Sequence, residues 1–172
     1  AFTGLGPDFR VDESFSSHLP VLVLEVNDSR NPARPGSARL TLYAGSADGG
    51  SFLSSPRTTL DVLAGRESGP ADSATEASIP AASGKTTYIL ELSENASALP
   101  QVSLAGLPAG NRWRLQGSTR DKGMLRNGIA YALGRVLFPG STPQTRYCEV
   151  LFKEGDTYRY QGLYIIAQSE DT

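Results

Sequence analysis

Cysteine and histidine each occur once in this chain of 172 residues, as Cys148 and His18. A single cysteine forms no intramolecular disulfide, and one cysteine with one histidine falls short of the ligand sets that hold structural zinc. A Cys-His catalytic pair would need these two distant residues to meet in space. Cys148 sits in the apolar stretch Arg146 to Phe152, where residue type predicts a buried small hydrophobe rather than a reactive thiol. Ser118 and Thr119 have no histidine near them in sequence, which argues against a serine hydrolase. Long apolar runs are missing too: none approaches the roughly 18 residues of a membrane-spanning helix, and no basic start with an apolar run marks a signal peptide. The sequence opens on Ala1 rather than Met. That fits either a beginning processed by removal of a secretion signal, which would go with a secreted or cell-envelope location, or one that is simply trimmed.

What is present describes one globular, loop-rich domain over residues 1–172, with 39% hydrophobic residues, 18 Gly and 11 Pro. The balance of 16 basic against 18 acidic residues gives a net charge of -2. Its distribution is uneven. Between Asn111 and Cys148 lie seven basic residues and one acid, Asp121. On charge alone this basic region reads first as a solvated helix and strand surface, and it also suits a phosphate-bearing ligand or a protein partner, with neither nucleic acid nor a membrane span among the expected contacts.

Hydrophobic patterning predicts a β-rich part over 19–107 and a strand-helix-hairpin part over 111–168. Leu19 to Val26 (LPVLVLEV) is nearly continuous in Val and Leu, as in a strand buried on both faces. Arg39 to Ala44, Thr58 to Ala64 and Thr86 to Leu92 alternate or concentrate β-formers. Residues 65–84 are rich in Gly, Ala, Ser, Pro and acids, and read as an exposed loop. Trp113 belongs to the core by residue type. A helix is expected from Lys122 to Leu137, with Leu125, Ile129, Ala132, Leu133 and Val136 in one stripe and Asp121 capping its first turn. Gly123, Gly128 and Gly134 weaken a helix, so this one needs packing to hold it. Arg146 to Phe152 and Gln161 to Ala167 complete a terminal hairpin. The expected fold is α+β: a β-rich N-terminal layer, and one main helix packed through its apolar stripe on the C-terminal hairpin.

Two ordered blocks carry a family resemblance. Trp113 to Arg135 (WRLQGSTRDKGMLRNGIAYALGR) and Pro143 to Phe152 (PQTRYCEVLF), followed by Tyr160 to Ile166 (YQGLYII), resemble the hallmarks of the spore coat protein H (CotH) kinase-like family. Upstream, Leu19-Pro20-Val21 and the strand after Gly84-Lys85 match in the same order. The resemblance implies an atypical protein kinase with a divergent kinase-like fold, which transfers phosphate from ATP with Mg. It implies Lys85, Asp121, Lys122, Arg126 and Asn127 as residues facing the nucleotide. A strand lysine and the N–H groups at a helix start both suit phosphate oxygens.

The departures bear on activity. Gln168-Ser169 stands where the family has Glu-Lys, Ala64-Gly65-Arg66-Glu67-Ser68 stands where the family has Arg-Gly-x-x-Ser, so that its arginine is lost or displaced by two places, and the family's metal-holding aspartate segments have no counterpart before Thr172. No catalytic or metal-ligating residue is therefore assigned. The expectation is a fragment or degenerate member without turnover, and the alternative is a non-catalytic binding or scaffold domain of a surface or envelope assembly. Residue type alone offers plainer roles: Asp121 as a helix cap, Lys122 and Arg126 as a solvated helix face, Asn127 as a backbone partner, Lys85 as an exposed residue at a strand start, and Glu149 as an ion-pair partner of Arg126 or Arg135.

Overall fold

The computed structural model describes residues 10–26, 36–45, 51–66, 85–92, 101–118, 121 and 123–169. In chain order these form strands β1 (Arg10–Val11), β2 (Val21–Val26), β3 (Gly36–Tyr43), β4 (Arg57–Arg66), β5 (Tyr88–Leu92), β6 (Val102–Ser103), β7 (Ala109–Gly110) and β8 (Arg112–Gln116). Helix α1 (Leu125–Leu137) follows, then β9 (Thr145–Glu154) and β10 (Thr157–Gln168). The expected loop over 65–84 lies outside the described residues apart from its first two, which extend β4.

The strands pair in the order β10-β8-β5-β4-β3-β2-β9, and β9 pairs back with β10. Seven strands thus close into a barrel, which leaves no free sheet edge around the ring. All ladders in the ring are antiparallel except β2 with β9, where Val21 to Glu25 run parallel to Glu149 to Lys153. That one parallel seam closes the ring. It requires β9 to return from the far end of the sequence to the side of β2.

Closure overturns the expected α+β layers and the resemblance to part of a kinase-like fold. The β-rich part and the hairpin form one ring rather than separate layers. The physical reason is the two-sided apolarity of β2. Its even residues, Leu22 and Leu24, point into the barrel, and its odd residues, Val21 and Val23, enter a second cluster outside it.

The interior is filled by Leu22, Leu24, Ala38, Leu40, Val62, Leu90, Trp113, Leu115, Cys148, Val150, Tyr164 and Ile166, as in small barrels whose inward side chains occupy the lumen. Trp113 and Cys148 are core residues, as residue type predicts. On the outside, Phe52 joins Val21, Val23, Tyr43 and Leu151, with Phe15 and Tyr158 against them. Phe52 meets Tyr43 and Tyr158 edge-on, with centroids 5.0 and 5.6 Å away, an arrangement that aromatic quadrupoles favour.

The helix differs most from expectation. It starts at Leu125 rather than Lys122, because Met124 takes a left-handed conformation (φ 54°). Its apolar stripe does not pack on the hairpin: Leu125, Ile129, Leu133 and Val136 are 54–77% exposed. The half-buried residues are Asn127, Gly128, Tyr131 and Gly134. A Cβ on Gly128 would lie 2.1 Å from the Tyr147 hydroxyl, and one on Gly134 would lie 2.8 Å from the Thr142 hydroxyl. The glycine side is the side that approaches the barrel.

Candidate functional site

Of the expected site residues, Lys85, Asp121 and Asn127 lie near the end of β8, beside Gly117, Ser118 and Gln116. Gln116 is the one buried polar residue among the described residues. In register it lies opposite Ile165 of β10, which lies opposite Tyr147 of β9. These three therefore share the outer face of the barrel, beneath α1. Burying an amide is costly unless its donors and acceptor are used, and α1 meets that need. Gln116 Nε2 donates to the Tyr131 hydroxyl at 2.6 Å, and Gln116 Oε1 accepts from Asn127 Nδ2 at 3.3 Å. The Tyr147 hydroxyl donates to the Met124 carbonyl at 3.2 Å. Asn127 thus holds a structural hydrogen bond, but to the Gln116 side chain rather than to the backbone expected from its residue type.

Asp121 is the cap of α1. Its Oδ2 accepts the backbone N–H of Arg126 at 2.8 Å, and its own N–H donates to Ser118 Oγ at 3.0 Å. A carboxylate at this end also complements the positive end of the helix dipole. Arg126 is exposed, and Lys122 lies outside the described residues. Glu149 does not pair with Arg126 or Arg135. Its carboxylate accepts the Tyr160 hydroxyl at 2.6 Å instead, because alternation on β9 turns Glu149 towards the outer aromatic cluster.

Lys85 lies three residues ahead of β5 rather than on a strand, beside Gly117, the residue that follows β8. A Cβ on Gly117 would come within 2.9 Å of Lys85 Cβ and 2.7 Å of the Tyr164 ring, and one on Gly162 within 2.8 Å of Lys85 Cε. Two glycines therefore form the slot through which the lysine stem passes. Gly162 also has φ 103°, at the bulge where the β9–β10 register shifts around Gln161. Only glycine adopts such a conformation readily.

The ammonium group of Lys85 donates to the Leu163 carbonyl at 3.0 Å and lies 5.8 Å from the centroid of the Tyr164 ring. On that edge of β10, β1 pairs with residues 158 and 159, and β8 with residues 165 to 168. The lysine thus serves a carbonyl in the interval between two strand partners. Its cation is fixed in place by an acceptor and an aromatic face.

Burial raises the pKa of the Cys148 thiol, so this cysteine is no nucleophile at neutral pH. Burial also raises the Tyr164 and Tyr160 phenols, the latter with the Glu149 carboxylate adding to the effect. No group of three or more His, Cys, Asp or Glu side chains suited to a metal occurs among the described residues. The Mg that the resemblance implies is thus not fitted by residues described here, and none is assigned to it.

An open groove of about 290 Å³ lies elsewhere on the outer face, lined in part by Arg39, Arg57 and Lys153. Arg39 faces Asp61 at 3.7 Å and Lys153 faces Glu25 at 3.5 Å, which offsets two of its three cations. No described helix is long and apolar enough to cross a membrane.

Sequence reasoning missed Gln116, Gly117, Tyr131 and Gly162 as site-forming residues. The signal for the glycines was present: both lie inside the motif blocks, Gly117 just after β8 and Gly162 at the bulge within β10. Beyond its place in the Trp113 to Arg135 block, Gln116 gave no signal of its burial, since a polar residue after Leu115 reads as an ordinary wet-face position.

No curated protein and no solved structure matches the chain. The family model described as CotH kinase protein matches residues 81–172, more than half of the chain, and it spans Lys85, the Gln116 network, α1 and the terminal hairpin. The chain belongs to the CotH kinase protein family.

Proposed function

We propose that the chain binds the phosphates of a nucleoside triphosphate at the barrel end around Lys85, as its part in phosphoryl transfer. The observation that carries this reading is the Lys85 ammonium, held between Gly117 and Gly162 by the Leu163 carbonyl and the Tyr164 ring. A cation positioned before the ligand arrives stabilises phosphate charge without reorganisation at the moment of binding. Family membership supports the choice of ligand. Phosphoryl transfer leans on positioned charge and metal ions rather than on covalent protein chemistry. The residues described here contribute positioning; none is assigned to the metal or to the attacking group.

Thermal unfolding with ATP, with and without Mg, tests the proposal. A ligand at 100 times its dissociation constant raises stability by about 2.7 kcal/mol. Lys85→Gln should weaken ATP binding by about tenfold or more, as expected for a lost charge-assisted contact. Equal shifts in the wild type and Lys85→Gln would remove Lys85 from the site. The other reading, a non-catalytic binding domain, is favoured by one observation: the outward apolar face of α1.

A further inference from the structure

Helix α1 is amphipathic in the reverse of the usual sense. Its polar and side-chain-free positions, Asn127, Gly128, Tyr131 and Gly134, meet the barrel, and its aliphatic positions face outward. Of the seven large hydrophobic residues exposed among the described residues, six fall within Leu125 to Phe138. Scattered exposed hydrophobes need no explanation, but a contiguous set on one element marks a contact surface.

The set has a defined form. Leu125, Ile129, Ala132 and Val136 recur at spacings of 4, 3 and 4. This is the seam of a heptad pattern, with β-branched residues at alternate seam positions. Arg126 and Arg135 occupy the two flanks of that seam, where charges select the partner. No Asp or Glu occurs from Lys122 through Cys148.

We propose that the outward face of α1 docks an α-helix of a partner protein whose apolar seam is flanked by Asp or Glu. A second copy of this chain fits less well, because it would bring Arg126 and Arg135 against their own kind with no carboxylate between them. A lipid surface also fits less well. Interfacial helices keep a strongly charged face free opposite the apolar one, whereas here that side is occupied by the barrel. The proposal does not depend on nucleotide binding at Lys85.

The test uses a labelled helical peptide of three heptads with Leu and Ile at the seam and Glu at both flanks, and a counterpart with Lys at the flanks. Fluorescence anisotropy should show saturable binding of the Glu peptide, about tenfold or more tighter than the Lys peptide and weakened by salt. The double substitution Arg126→Glu with Arg135→Glu should reverse the preference. Ile129→Asp should abolish binding of both peptides while the urea midpoint stays unchanged, since Ile129 is exposed.

Failure of the Glu peptide to bind, equal binding of the two peptides, or no reversal in the double variant would overturn the proposal. A concentration-dependent dimer in sedimentation velocity that Ile129→Asp abolishes would give the face to a second copy instead. Co-sedimentation with phosphatidylserine vesicles, lost in the same variant, would give it to lipid.

Discussion

A buried amide with both its ends used sets the terms at the scale of single residues. Removing Gln116 leaves the Tyr131 hydroxyl and the Asn127 amide without these partners beneath α1. Gln116→Ala should therefore cost about 1–3 kcal/mol by urea denaturation, and Tyr131→Phe about 0.5–1.5 kcal/mol. Gly162→Ala should lower ATP affinity without altering any charge, because the new methyl group meets Lys85 Cε and the backbone there has φ 103°. An unchanged affinity would separate the lysine's position from its function. Residue identity disclosed part of this site. Asp121 was legible as a cap from its type and place, although the N–H it accepts belongs to Arg126, because left-handed Met124 delays the helix start. Asn127 was legible as a structural amide, but its partner Gln116 was not. What buries Gln116 is a helix folding back over it, and no local pattern records that.

Helix α1 shows what periodicity does and does not reveal at the scale of an element. The apolar stripe was legible at the right residues, yet periodicity says only that a face seeks cover, not which face the rest of the chain supplies. The consequence is measurable: Leu133→Ala should change stability by no more than about 0.5 kcal/mol, as at other exposed sites. A buried leucine such as Leu115 should cost about 2–5 kcal/mol when cut to Ala. Gly128→Ala would stabilise an ordinary helix by about 1 kcal/mol. Here it should destabilise, because the methyl group meets the Tyr147 hydroxyl. In a Tyr147→Phe background much of that penalty should vanish, giving a non-additive double-mutant cycle.

Most strands of the whole molecule were legible, since runs such as 21–26 and 86–92 are short, apolar and bounded by turn residues. Their closure was not, because the parallel β2–β9 pairing joins distant parts of the chain, and a single sequence carries no mark of such contacts. Closure also explains the alkaline behaviour expected of the protein. Cys148 and Tyr164, inside the barrel, and Tyr160, against its outer cluster, have pKa values raised chiefly by burial. The unfolded thiol ionises from its ordinary value of 9.0 and the unfolded phenols from 10.0, while the folded groups stay neutral. Above these values the unfolded chain binds fewer protons than the folded one, so stability is fully present at neutral pH and falls as pH rises beyond 9.0. Urea midpoints at about pH 7.5 and about pH 10 should show the decline, and a flat profile would contradict the buried placement of these groups.

A 1H–15N NMR titration of the labelled protein with ATP tests phosphate binding at Lys85 most directly. Saturable shifts should concentrate at residues 85–88, Gly117 and 162–164, and should be lost in Lys85→Gln. Shifts confined to the groove of Arg39, Arg57 and Lys153, or no shifts at millimolar ATP, would contradict it.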